Sequence, residues 1–119
     1  FVRDRVAEIE AAGGEVVVAG DLNAFEDETP LGVLEGPGTS LDNLWDRAPV
    51  GEAYSFQFNG RLQTLDHLLV TDGLAPLVRD VRYAHFANDY HRREAPGDGH
   101  RVSDHDPPIV TLSRSARPR

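Results

Sequence analysis

The 119-residue sequence contains no cysteine, no lysine and no methionine. Without cysteine there is no disulfide and no thiolate metal site, and the chain fits any redox compartment. All twelve basic residues are arginine, which reads as codon bias rather than mechanism. No apolar run approaches the ~20 residues of a membrane span, and no signal-peptide pattern opens the chain. Internal repeats and low-complexity segments are lacking too. Basic charge is short: twenty acids leave a formal net charge of -8. That balance argues against a protein gripping nucleic acid by bulk electrostatics. It leaves room for an enzyme that brings divalent cations to a phosphate, because carboxylates gathered around a metal make a chain acidic. The length suits one soluble globular domain or part of a larger one. The opening Phe1-Val2-Arg3 reads like a helix interior, so further chain is expected before it.

What is present centres on Glu15-Val16-Val17-Val18-Ala19-Gly20-Asp21-Leu22-Asn23. The β-branched run predicts a buried strand that stops at a glycine. Side chains alternate along an extended backbone, so Asp21 and Asn23 can share one side while Leu22 packs on the other. A carboxylate and a carboxamide then sit at the carboxyl edge of a sheet, where open α/β folds keep their chemistry. Taken alone, the same residues also describe an ordinary turn.

Along the chain, residues 1–12 predict a helix closed by Gly13-Gly14. The acidic Glu26-Asp27-Glu28 reads as a solvated loop, with Thr29-Pro30 as cap and first turn of a short helix through Leu34. Leu41, Leu44 and Trp45 predict another helical turn or two, with Trp45 as a core anchor. Tyr54 to Phe58, Asn59-Gly60 and Arg61 to Val70 predict a hairpin whose return strand carries Asp66 inside an apolar run. A buried carboxylate is costly unless paired, so Asp66 requires a partner. Val81 to Phe86 and Ile109 to Leu112 predict two more strands, separated by a polar loop over 87–102. His85, His91 and His100 match no usual zinc spacing. Arg92 and Arg93 could meet a phosphate backbone but read as loop solvation.

Three motifs, Gly20-Asp21-Leu22-Asn23, Leu65-Asp66-His67 and Ser103-Asp104-His105-Asp106-Pro107, appear in order, with a hairpin before the second. Together they resemble the C-terminal half of the endonuclease/exonuclease/phosphatase superfamily, the DNase I-like fold. The long loop before Ser103 and the Asp-Pro after His105 look most like its secreted bacterial nucleases, which favours an extracellular location. The resemblance runs over residues 1–113 and leaves 114–119 as a flexible tail. It implies an α/β (α+β) architecture: half of a two-layer sandwich, with one mainly antiparallel sheet of about five strands and helices on one face. The family's first half supplies an Asn, a metal-binding Glu and a further His or Tyr, and nothing in these residues matches those motifs. Two departures are His67, where relatives often carry an aromatic, and Pro108 in place of an apolar residue.

The resemblance also implies roles. Asp21 would orient or deprotonate the attacking water, and Asn23 would hydrogen-bond the phosphate or nucleophile. Asp104 would help hold the divalent ion. His105 would contact the scissile phosphate or transfer a proton, with Asp66 hydrogen-bonded to it. Phosphodiester hydrolysis needs charge stabilisation on non-bridging oxygens, an oriented water and relief of leaving-group charge. Mg²⁺ or Mn²⁺, with Ca²⁺ as a further candidate, suits carboxylate oxygens. A histidine held by a buried carboxylate has its tautomer fixed and its protonated form favoured.

The expected activity is metal-dependent phosphodiester hydrolysis in the full-length parent, on DNA or RNA as substrate, with the isolated 119 residues inactive. Lipid or inositol phosphatases share the motifs and remain an alternative, as does a non-catalytic binding module. The sheet face that would meet the family's other half predicts an exposed apolar patch and pairing of two copies. No membrane partner is expected.

Overall fold

In the computed structural model of the chain, residues 1–88 and 103–114 are described. His91, His100, Arg92, Arg93 and the end of the tail lie outside them. The chain runs α1 (Val2–Ala11), β1 (Val17–Asp21), α2 (Thr29–Glu35), β2 (Asp42–Asn43), β3 (Phe56–Phe58), β4 (Arg61–Gln63), β5 (Asp66–Val70), β6 (Val78–Tyr83) and β7 (Pro108–Leu112). Short 3₁₀ turns occupy Leu44–Arg47 and Ala75–Leu77. No helix among the described residues is long and apolar enough to cross a membrane.

β5 is the middle strand, and its sequence explains why. In Asp66-His67-Leu68-Leu69-Val70 positions 67–70 are buried on both faces, and all of them but His67 are apolar. Leu68 and Val70 join Leu44, Ala48, Val81 and Tyr83 in one core cluster. Leu69 points the other way, among Val6 of α1, Ala24, Leu31 of α2 and Leu41. The two helices therefore cover one face of the sheet, as expected, and the β6–β7 ladder covers part of the other. At roughly 25 cal/mol per Å² of apolar surface, burial on both sides makes β5 the strand that couples the layers.

Every strand pair is antiparallel, in keeping with the predicted α/β class. Among the described residues, hydrogen bonding divides the strands into three ladders, β1-β5-β2, β3-β4 and β6-β7, rather than one continuous sheet. The expected return strand over 61–70 is interrupted at Thr64-Leu65. There the buried Ser55 hydroxyl accepts from Leu65 N and Asp66 N, at 3.0 Å each, in place of a ladder carbonyl. At the hairpin tip Asn59 and Gly60 both take positive φ, 49° and 76°, as a two-residue turn between twisted strands requires.

Several boundaries move. The helical turn expected from Leu41, Leu44 and Trp45 is a 3₁₀ turn over Leu44–Arg47, preceded by a two-residue strand. Asn43 caps the turn with its side chain, and the fully buried core residue is Leu44, while Trp45 is half-buried. α2 is capped at Glu28 rather than Thr29, with Pro30 in its first turn. β6 starts three residues earlier than predicted and ends at Tyr83, because residues 86–88 turn to point their N–H groups at Asp106. β1 is an edge strand instead of a fully buried one: Val16 and Val18 face the helices, while Val17 stays 43% exposed.

Candidate active site

The antiparallel register pairs Asp21 with Asp66 at the end of the β1–β5 ladder. Directly opposed residues share a face, so both carboxylates lie on the same side of the sheet. Gly20, with φ 150°, takes a backbone conformation that L side chains rarely adopt, and it delivers Asp21 to that edge. Beyond Asp21 the strand ends. Asn23 turns to φ 48°, its backbone N–H donates to Asp21 Oδ1 at 2.9 Å, and its Nδ2 reaches Oδ2 at 3.3 Å. Asp21 and Asn23 do meet, but through a side-chain-to-backbone turn rather than strand alternation. The turn and the chemical site are the same residues.

His105 arrives from the segment leading into β7 and donates from Nδ1 to Asp66 Oδ2 at 2.6 Å. This is the partner Asp66 requires. The His105 ring stacks on Phe56, with centroids 4.7 Å apart and planes at 29°, so its orientation is held on two sides. Burial acts to lower the imidazole pKa. The hydrogen bond and charge of Asp66, with the charges of Asp21 and Asp104, outweigh it, and the group titrates above its ordinary value. Tyr83 donates its hydroxyl to Asp66 O at 3.0 Å, and burial first, then Asp66 and Glu26, push its phenol pKa up.

Oxygen and nitrogen atoms of Asp21, Asp66 and His105 all lie within 4.8 Å of one another. Asp104 is exposed and is not part of this cluster, though its charge reaches His105. Two carboxylates beside an imidazole, with no soft donor, fit a hard divalent ion. The Nδ1 of His105 is already committed to Asp66, so carboxylate oxygens are the natural ligands.

Three buried polar residues support the site in roles that the motifs alone do not indicate. His67 is fully buried; its Nε2 donates to Ala24 O at 2.9 Å and its Nδ1 accepts from Asn43 Nδ2 at 3.1 Å. This Nε2–H tautomer satisfies both contacts and ties down the residue that follows Asn23. Ser55 and Asp106 are also fully buried. For His67 and Asp106 the available signal is a polar residue inside a motif; Ser55 carries no such signal. His85 stacks on Tyr54 at 3.9 Å and contacts Glu52 O through Nε2 at 3.1 Å, which accounts for it structurally.

Antiparallel strands under two helices thus carry a histidine–carboxylate pair and a second carboxylate at one strand edge. The sequence profile described as the Endonuclease/Exonuclease/phosphatase family matches residues 2–105, and the chain belongs to that family. Membership makes it a phosphodiesterase- or phosphatase-type hydrolase domain, of a family whose enzymes typically use divalent metal ions. No curated protein and no solved structure gives a significant match.

Proposed function

We propose that this domain belongs to a metal-dependent nuclease, hydrolysing phosphodiester bonds of DNA or RNA. The observation that carries the reading is the 2.6 Å contact between His105 Nδ1 and Asp66 Oδ2, with Asp21 in the same cluster. In this reading Asp21 orients the attacking water and takes its proton. Asn23, whose 3.3 Å side-chain contact to Asp21 is long and exposed, turns its amide to the phosphate. His105, held charged by Asp66, meets the non-bridging oxygens through its free Nε2. Asp104 would help to hold Mg²⁺ or Mn²⁺, and such an ion, when bound, would supply charge stabilisation at the phosphate and the leaving oxygen.

The best-populated catalytic edge carries few ligands, and the family's metal-binding Glu has no counterpart motif here. We therefore assign activity to a longer parent chain, in which residues 1–113 form the C-terminal half of the domain; an extracellular location for it rests on the resemblance to secreted nucleases alone. The test is plasmid degradation by the full-length protein in millimolar Mg²⁺ or Mn²⁺, beside its Asp21→Asn variant. Cleavage lost in the variant supports the reading. Hydrolysis confined to inositol phosphates or phospholipids would move it to the phosphatase branch.

A further inference from the structure

The His105–Asp66 contact joins two segments far apart in sequence, yet no regular ladder runs directly between them. β5 belongs to the ladder β1-β5-β2 and β7 to the ladder β6-β7. Something other than sheet hydrogen bonding must keep the imidazole against the carboxylate. Ser55 lies between the two. Its Oγ accepts from Leu65 N and Asp66 N, at 3.0 Å each, and its backbone carbonyl accepts from Asp106 N at 2.7 Å. One fully buried residue thus grips the amide of Asp66 with its side chain and the amide next to His105 with its main chain.

Asp106 fixes the other end. His105 and Asp106 are adjacent and point apart, one to Asp66 and one inward. Asp106 is 0% exposed, and its Oδ1 accepts from Phe86 N, Ala87 N and Asn88 N at 3.1, 2.8 and 3.1 Å. Three consecutive amides on one oxygen form an anion-binding nest, which compensates a buried carboxylate without a cation. The second oxygen faces His85 Nδ1 at 3.5 Å, too far for a hydrogen bond. Its work is therefore carried by Oδ1.

We propose that Ser55 and Asp106 are positioning residues that clamp the His105 imidazole onto Asp66, replacing a missing ladder at the seam between β5 and β7. The proposal rests on the hydrolytic reading of this site, but its geometry can be tested without turnover. The probe is the downfield proton resonance of His105 Nδ1, identified by its loss in His105→Ala. Ser55→Ala and Asp106→Ala should broaden or remove it while the amide spectrum stays dispersed. Asp106→Asn keeps an oxygen for the three amides and should restore it. In the full-length protein assayed on plasmid with Mg²⁺, the two alanine variants should lose about tenfold or more in kcat with KM within about twofold, and Asp106→Asn should recover it. If Asp106→Ala does not fold, Ser55→Ala and Asp106→Asn decide. An unchanged resonance in Ser55→Ala, or its loss in Asp106→Asn, overturns the clamp. A clamp that passes in a protein without hydrolytic activity would refute the nuclease reading alone.

Discussion

Replacing Asp66 with asparagine isolates the charge in the His105–Asp66 pair, because shape and hydrogen-bonding reach barely change. The contact is 2.6 Å long, and both side chains are mostly withdrawn from water, with exposures of 22% for His105 and 13% for Asp66. A charge-assisted hydrogen bond in such a setting contributes about 1.5–3 kcal/mol, and an amide retains part of it. The expected loss is about 1–2 kcal/mol of unfolding free energy at the pH where the pair is fully charged. The sign with pH follows from the raised folded-state pKa of His105. Between the unfolded value, about 6.5, and the folded one, the native state holds the extra proton. The stabilisation is complete below about pH 6.5 and is lost as pH rises through the folded pKa. Removing Asp66 also relieves its repulsion with Asp21, whose oxygen lies within 4.8 Å. Because Asp21 is exposed, that offset is on the order of 1 kcal/mol, and it is constant once both acids are ionised. It lowers the difference between wild type and variant without changing its slope. Urea unfolding of both proteins between pH 6 and 9 measures the difference. A gap that is flat with pH, or that widens toward pH 9, would refute the charged pair.

In the full-length enzyme, Asp21→Asn and His105→Ala should each lower turnover by at least ~10²-fold with KM little changed, and steady-state kinetics on plasmid decide it. The 119 residues alone should not cleave plasmid at a useful rate in millimolar Mg²⁺ or Mn²⁺. Cleavage by this chain but not by its Asp21→Asn variant would contradict that and imply that a second copy completes the site. Val17 stands 43% exposed on the open face of β1, so two copies are expected to pair through that face. Sedimentation of a clean monomer at micromolar concentration would rule the pairing out.

Antiparallel strands and two helices were legible because their signals are local. The periodicity of residues 1–12, the Asn-Gly turn and the apolar run of 66–70 each specify an element without reference to distant chain. The motif residues Asp21, Asn23, Asp66 and His105 were legible as well, and the need of Asp66 for a partner followed from burial cost alone. What could not be read was whatever depends on two distant segments meeting. The break at Thr64-Leu65 exists because Ser55, ten residues earlier, offers a hydroxyl to those amides. β6 stops at Tyr83 because Asp106, more than twenty residues later, draws in the amides of 86–88. Trp45 carries the larger apolar side chain, but Leu44 takes the core position once Asn43 caps the 3₁₀ turn. In each case a polar side chain overrode local propensity by supplying or claiming backbone hydrogen bonds.

The electrostatics of the site make a single argument out of its acids. Burial acts to lower the His105 pKa while Asp66, Asp21 and Asp104 act to raise it, and in the proposed nuclease reading Asp104 would help to hold a divalent ion. An ion bound by those acids places positive charge near the imidazole and so opposes the shift that they cause. Proton and metal are then in competition for the same negative field. One oxygen of Asp66 is set apart from this, because Oδ2 accepts from His105 Nδ1 at 2.6 Å. The short contact therefore does two things at once. It keeps one carboxylate dedicated to the histidine when the other acids are neutralised, and it orients the ring whatever its charge. In the proposed nuclease reading, a chain with a net charge of -8 would repel a polyanionic substrate until cations bind, and the imidazole that Asp66 holds would then meet the phosphate.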